Sequence, residues 1–428
     1  MKESINIGII GFGVVGSGAV RILNENREDI ERKVGARLVV KRIADLDITT
    51  PRSVEVDKSI LTTDANEVIN DPDIDIVVET IGGLKPAGDF IRAALRNGKH
   101  VVTANKELIA KEGATILPVA AELKRDLMFE ASVGGGIPII RPMKTCLAGN
   151  EILEVKGIVN GTTNYILTRM REEGLQFADV LKDAQAKGYA EADPTADIEG
   201  HDAAYKISIL ASIAFTSRCD VNRVYREGIT KVTAEDMRYA DELGYVIKLL
   251  AIAKLVDGGI LARVHPAFVP KTHVLAHVDG VTNGICVTGN AVGEVMFSGP
   301  GAGSMAAGSA VVGDIIDIAR NIKHDSTARV GCTCFDERET LSMDKVRCKN
   351  YVRMLTEDKP RVLAAIATEF ANNNVSIESV LQKGCRGSYA EIVWVTHEAA
   401  EPSMRKALDA TRALSVVKEI GSWIRVEE

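Results

Sequence analysis

The segment INIGIIGFGVVGSGAVRIL, residues 5–23, constrains the chain more than any other: an apolar strand runs straight into a glycine turn and then a helix. Gly11, Gly13 and Gly16 stand in G-x-G-x-x-G register. In this setting the first glycine permits the tight turn, the second lets a pyrophosphate reach the backbone, and the third lets helix pack on strand. Gly11, Phe12, Gly13, Val14, Val15 and Gly16 therefore form a candidate phosphate-binding loop, with free N–H groups at the helix start to hold the phosphates. Three further apolar stretches follow, RLVVKRIAD, DIDIVVET and KHVVTANK, separated by segments that suit helices. That alternation predicts an α/β, Rossmann-type dinucleotide-binding domain with a parallel sheet over residues 1–135.

The end of the second strand selects the cofactor in such folds. Asp45 lies where a carboxylate accepts hydrogen bonds from ribose hydroxyls, which favours NAD. Lys41, Arg42 and Arg52 lie close in sequence and could instead meet the 2′-phosphate of NADP. Both readings stay open at this stage. Thr80, at the end of DIVVET, and Lys106, in TANKE after the fourth strand, are placed to line the groove beyond the strand ends.

Composition narrows the class. With 46% hydrophobic but only 4% aromatic residues in 428, the chain reads as an Ala/Val/Ile/Leu-rich soluble α/β protein of two or three domains. A net charge of −7 argues against nucleic acid or a membrane surface as partner. No apolar run approaches the ~18 residues of a spanning helix, and the start MKESINIGIIGFG enters a strand without a signal-peptide pattern. Of seven cysteines only Cys332 and Cys334 are close together, and a C-x-C pair lacking other ligands makes a poor zinc site. Reduced thiols and a cytoplasmic location are expected.

The second informative segment is AQAKGYAEADPTADIEGHDAAYK, residues 184–206. Glu191, Asp193, Asp197, Glu199 and Asp202 gather five carboxylates before Lys206. Gly188, Asp193-Pro194 and Gly200 break helices, so a loop should lay acids against the first turn of a helix. Asp202 and Lys206, four apart, then share one face of that helix. A lysine among acids in such a loop suits proton transfer. The order Ala184, Gly188, Tyr189, Ala190, Asp193-Pro194, Asp197, Gly200, Asp202, Lys206 resembles the signature of the homoserine dehydrogenase family, and TANKE resembles a second motif of that family.

The resemblance, over about residues 1–335, implies reversible, nicotinamide-dependent reduction of L-aspartate 4-semialdehyde to L-homoserine. It implies Lys206 as proton donor to the carbonyl oxygen, Lys106 as the group polarising it, and Asp202 holding Lys206 or substrate. Glu191 would bind the substrate ammonium, and Asp197 would organise the pair. An exposed lysine has a pKa of about 10.4, so burial must lower it for exchange at neutral pH. Gly188 and Gly303 are carried over as cofactor contacts. LMFEASVGGGIPIIRP reads by itself as a strand and a sharp turn; the family's sodium site maps onto Glu130 and the carbonyls of Val133, Gly135 and Ile137. Asn160-Gly161-Thr162-Thr163 reads as a turn and helix cap. After Gly303 the chain departs from the family's usual Pro-Thr-Ala-Ser-Ala, having Met305-Ala306-Ala307-Gly308-Ser309-Ala310.

Residues 136–300 are expected as a substrate and oligomerisation domain, with 300–335 packing back on the first domain and 336–350 as a linker. Beyond it, 351–428 reads β-α-β-β-α-β, the ferredoxin-like plan, and resembles an ACT domain. The resemblance implies a homo-oligomer, dimer or tetramer, and an amino-acid effector at Asp358-Lys359-Pro360-Arg361. Arg361 stands where ligand-binding relatives have glycine, so threonine inhibition is expected to be weak or absent. Aspartate-semialdehyde dehydrogenase is the nearest alternative enzyme, but it needs a nucleophilic cysteine and Cys146 lies in no such motif. A cofactor-binding amino-acid sensor without turnover is the alternative of another class. A fused aspartokinase is not expected, since the chain opens on the dinucleotide strand.

Overall fold

A computed structural model of the chain describes residues 2–386 and 389–427. Two compact units divide it: Met1–Val155, Tyr205–Asn222 and Thr282–Arg338 form the first, and Lys156–Ala204, Arg223–Val281 and Glu339–Glu428 the second.

The first unit is built on six parallel strands: β1 (Ser4–Ile10), β2 (Arg37–Ala44), β3 (Leu61–Thr62), β4 (Ile76–Glu79), β5 (His100–Thr103) and β6 (Leu127–Met128). Their order is β3-β2-β1-β4-β5-β6, so the sheet reverses direction of growth between β1 and β4, where doubly wound folds bind ligands. Ile5, Ile7 and Ile9 are fully buried on one face, and Ile76 and Val78 join them. The two-residue β3 escapes the sequence signals. LMFEAS, expected to be a longer strand, pairs only through Leu127 and Met128 before a tight turn at Glu130–Ser132.

The helix Ser304–Lys323 packs on the helix Val14–Glu25, burying Val311, Val312 and Ile315. Two glycines allow this approach: a side chain on Gly18 would overlap the backbone of Ser304, and one on Gly308 the backbone of Gly18. Residues 282–300 form the antiparallel hairpin Thr282–Gly289/Gly293–Pro300.

The second unit contains a hairpin of two twelve-residue strands, Tyr245–Val256 and Gly259–Pro270, buried along most of its length. Its second strand pairs in parallel with Val417–Val426, and the carboxyl-terminal strands follow in the order Val417–Val426, Arg347–Glu357, Tyr389–Thr396, Ile377–Arg386. The order is that of a ferredoxin-like sheet. Helices Val362–Asn372 and Glu401–Arg412 share its apolar core with Trp394 and Phe370.

The unit boundaries differ from the domain limits read from sequence. Residues 136–155, 205–222 and 282–300 cluster with the dinucleotide fold, and the ferredoxin-like end clusters with the middle of the chain. Residues 336–350 include the start of a strand, and Leu341 donates its N–H to the Ile260 carbonyl. Buried charges tie the end of the chain to its surroundings: Arg263 of the long hairpin contacts Glu427 at 2.7 Å, and Arg425 of the last strand contacts Glu401 at 2.6 Å and Glu227 at 3.0 Å. Within 336–350 the charged side chains stay mostly exposed, while Thr340, Met343, Val346 and Cys348 are buried, so the stretch is anchored by its few uncharged residues.

Arg263 Nε donates to His265 Nε2 at 3.2 Å, which requires the neutral ring with its proton on Nδ1, facing the Pro266 carbonyl. Burial, with Arg425 beside it, holds the His265 pKa at about 3. The unfolded chain takes up this proton below about pH 6.5 and the folded one does not, so stability is full above that pH and falls between pH 6.5 and 3. Unfolding free energy in urea is expected to drop by about 1.4 kcal/mol from this group between pH 7.5 and 5.5. His265→Gln should flatten that interval, and an unchanged slope would show the acid sensitivity to lie elsewhere.

Candidate active site

In the first unit the glycine loop is held from two sides. Asp45 accepts the Phe12 N–H at 2.5 Å and the Asp47 N–H at 2.8 Å, while the Thr80 hydroxyl donates to the Gly11 carbonyl at 2.8 Å. Gly11 has φ +101°, and a side chain on Gly16 would overlap the Gly11 carbonyl. The helix Val14–Glu25 begins at Gly13 with no side-chain cap and no acid in its first turn. Its N–H groups and positive dipole end are therefore left for an anion, and the loop fits a dinucleotide pyrophosphate. Gly303, φ +117°, starts the helix Ser304–Lys323, which packs on this one.

The rivalry among basic residues narrows. Lys41 is paired with Asp71 at 3.0 Å and Asp73 at 2.7 Å, and Arg42 with Glu67 at 2.5 Å. Arg52 lies 3.7 Å from Asp45 and 3.5 Å from Asp47, and its buried Nε has no hydrogen-bond partner. Of the three cations, Arg52 alone stands beside Asp45.

Lys106 opens the helix Lys106–Glu122, capped by Asn105, whose side chain accepts the Leu108 N–H at 3.0 Å and donates to the Gly83 carbonyl at 2.6 Å. Glu79, fully buried at the end of β4, accepts the Thr103 hydroxyl at 2.5 Å and the N–H groups of Ile81 and Gly82. Burial pushes its carboxyl above the usual range although these donors oppose the rise. Asn105 lay inside the TANKE motif, where only Lys106 was singled out, and Glu79 carried no sequence signal beyond its place at a strand end.

Asp202 and Lys206 lie on the helix His201–Ala214, one turn apart, 5% and 8% exposed. Both are withdrawn from solvent, whereas Glu191 and Asp193 of the same acidic run are exposed. Within the first unit the neighbour of each lysine touches the other's: the Tyr205 hydroxyl donates to Glu107 at 3.5 Å. Lys111 holds that carboxylate at 2.6 Å and lies 5.2 Å from the Tyr205 ring. A cavity of about 230 Å³ between the same helices is lined by neither Lys106 nor Lys206.

In the second unit Asn160 is the hub that sequence reading took only for a cap. Its side-chain oxygen does accept the Thr163 N–H at 2.9 Å, starting the helix Gly161–Glu173. Its amide nitrogen donates to Asp197 at 2.7 Å and to Asp202 at 2.9 Å. A turn asparagine followed by two threonines was the available signal, and a capping role absorbed it. Glu191 is exposed, and among the described residues no donor meets its carboxylate. Gly188, φ +75°, ends the helix Phe177–Ala186 in this unit.

The Glu130 carboxylate accepts the N–H groups of Ile139 and Ile140 at 2.7 Å and of Arg141 at 2.8 Å. One oxygen thus takes two donors and the other a single one, which leaves that second oxygen with room to bind. Among the described residues no backbone N–H meets the carbonyls of Val133, Gly135 or Ile137. This oxygen set suits a hard cation.

Removing Asn160 takes away an amide donor shared by two carboxylates, one of them buried. Asn160→Ala is expected to cost about 2–3 kcal/mol of unfolding free energy, read by urea titration. A loss under about 0.5 kcal/mol would mean that water replaces the hub.

Comparison with known proteins agrees with this geometry. Residues 11–130 match the family described as homoserine dehydrogenase, NAD binding domain; residues 138–316 match homoserine dehydrogenase; residues 350–416 match the ACT domain. A homoserine dehydrogenase of Neisseria gonorrhoeae is 43% identical over 431 residues, 99% of each chain. The crystal structure of a homoserine dehydrogenase from Thiobacillus denitrificans superposes with a TM-score of 0.93 at 42% identity, covering 100% of this chain and 99% of that one. A hyperthermophilic archaeal homoserine dehydrogenase in complex with NADPH matches 74% of this chain and 97% of its own, with TM-score 0.62 and 29% identity.

Proposed function

The chain belongs to the homoserine dehydrogenase family of NAD(P)-dependent oxidoreductases acting on CH–OH groups, and from that premise we propose the division of labour among its site residues. The observation that carries the reading is the buried Asp202–Lys206 pair on one helix face, inside the signature segment. A nicotinamide dinucleotide, its pyrophosphate held at the glycine loop, would supply or accept the hydride at the carbon of L-aspartate 4-semialdehyde or L-homoserine. Lys206 Nζ donates the proton to the carbonyl oxygen during reduction and takes it back during oxidation. Lys106 polarises that oxygen with its positive charge. Asp202, held by Asn160, keeps Lys206 in position, and Asp197 on the same amide fixes Asp202. Glu191, free of protein donors among the described residues, takes the substrate ammonium as a charge-assisted hydrogen bond.

Lys206→Ala is expected to lower kcat about a hundredfold or more with cofactor binding retained, as loss of a general acid does. A wild-type kcat with only KM raised would make Lys206 a binding residue. Glu191→Ala should chiefly raise KM for homoserine, and Glu191→Asp should recover little of it because the carboxylate retreats by one methylene. An unchanged KM would remove Glu191 from the site.

Both cofactors are expected to serve. The oxygens of Asp45 are taken by backbone donors, which supports a structural part for it, and Arg52 is the cation available for a 2′-phosphate. Arg52→Ala should reduce kcat/KM with NADPH about tenfold and leave NADH within about twofold. Equal losses with the two cofactors would make Arg52 merely structural. A monovalent cation at Glu130 and the carbonyls of Val133, Gly135 and Ile137 would hold that turn in shape. Replacing sodium by tetramethylammonium should then lower the thermal midpoint, and a constant midpoint counts against the ion.

Amino-acid sensing belongs to the ACT domain. Arg361 has φ +77°, backbone that glycine adopts more easily, and its side chain is exposed. The expectation of weak threonine inhibition is tested by titrating activity with threonine in wild type and Arg361→Gly. Strong inhibition of the wild type would show that the exposed arginine leaves the turn open.

A further inference from the structure

Cys332 and Cys334 are absorbed by no part of the catalytic reading. Both are partly exposed free thiols in the segment after the helix Ser304–Lys323. Arg218 Nη2 donates to the Cys332 sulphur at 2.9 Å, and Cys334 Sγ donates to the Ser212 carbonyl at 3.5 Å in the last turn of the helix His201–Ala214. Lys144 reaches the same loop, donating to the Gly331 carbonyl at 3.1 Å. Phe335 N–H returns to the Thr333 carbonyl at 3.1 Å, a tight turn centred on Cys334. Arg218 and Ser212, which hold the two sulphurs, also line the cavity of about 230 Å³, and the partial exposure of both cysteines leaves them within reach of a small neutral molecule.

The Cys334 thiol is the neighbour that most favours the thiolate at Cys332, burial opposes it, and Arg218 and Lys144 add to it. Cys334 is pushed the other way, so the pair divides into one nucleophilic sulphur and one proton-bearing sulphur. Two cations beside the sulphurs disfavour a soft metal ion, and among the described residues no third ligand completes a metal cluster. Positive surroundings instead activate a cysteine toward oxidants.

We propose that Cys332 and Cys334 form a redox-active dithiol, with Cys332 the attacking sulphur and Cys334 the resolving one, that a peroxide converts to an intramolecular disulfide. The Cys332 thiolate attacks one peroxide oxygen, the O–O bond breaks, and hydroxide leaves and is protonated to water, giving a sulfenic acid. Cys334 sulphur then attacks the sulfenic sulphur: the S–S bond forms, the S–O bond breaks, and hydroxide leaves with the Cys334 proton as a second water. The two thiols lose two electrons and hydrogen peroxide gains them.

The test uses the intact enzyme and reads the peptide containing residues 332–334 by mass. Under limiting iodoacetamide at pH 6.5, Cys332 should alkylate about tenfold or more faster than Cys146, an exposed cysteine of the same chain. Equimolar hydrogen peroxide should remove two hydrogens from that peptide, reversibly with dithiothreitol. Cys334→Ser should stop the disulfide and let dimedone trap Cys332 as its sulfenic acid, and Arg218→Met should slow both reactions. Alkylation of Cys332 no faster than Cys146 overturns the proposal, as does peroxide treatment that leaves the peptide reduced or carries Cys332 directly to sulfinic acid.

Discussion

A lysine and an aspartate buried one turn apart on the helix His201–Ala214 impose a demand that the elements around them must meet. Desolvation penalises either charge by several kcal/mol unless hydrogen bonds replace the lost water. The neighbouring elements answer that demand. Asn160, at the end of a strand and the start of a helix, offers its amide to Asp202 and Asp197 together. On the first unit's side of the same helix, Tyr205 reaches the Glu107 carboxylate, next in sequence to Lys106. A single helix thus carries the proposed proton donor, its partner acid and a tie to the strand-end lysine.

The same economy recurs at the cofactor loop. Asp45 and Thr80 directly follow the ends of β2 and β4, yet each hydrogen-bonds the glycine loop's backbone, so its shape is set from two strand ends as well as by its own glycines. Both were expected to face the cofactor, and both also fix the loop that would receive it. Glu79 does similar work at the next strand end, where its buried carboxylate gathers a hydroxyl and two N–H groups. Preorganised donors of this kind reduce the reorganisation needed when a charged ligand arrives.

The second unit shows how the ferredoxin-like strands are tied to the middle of the chain. Asp236 closes a capping box with Thr233 and also receives Arg353 at 2.8 Å, Tyr351 at 3.0 Å and Ser422 at 2.7 Å from the ferredoxin-like strands. Burial alone would raise its carboxyl, but the Arg353 guanidinium together with the Ser422 and Thr233 hydroxyls holds it below the usual range. Such a pair orients more than it stabilises, because its desolvation offsets much of its attraction.

Local order was what the residue sequence determined by itself. The G-x-G-x-x-G turn, the apolar strands, the β-α-β-β-α-β tail and the acid–lysine segment are short-range patterns, in which backbone sterics and side-chain periodicity act within a few residues. Family membership was legible for the same reason, since its signatures occupy fixed spacings. Only the tertiary structure decided which charges were removed from play. Lys41 and Arg42 look equal to Arg52 in the sequence, but partners 25 to 32 residues away pair with the first two. Asn160 looked like a cap until acids 37 and 42 residues downstream closed on its amide. The stretch 336–350 looked like a solvated linker until the long hairpin supplied a strand edge for it. A side chain's burial and its partners depend on chain closure over long separations, and no local pattern encodes which distant segment will arrive.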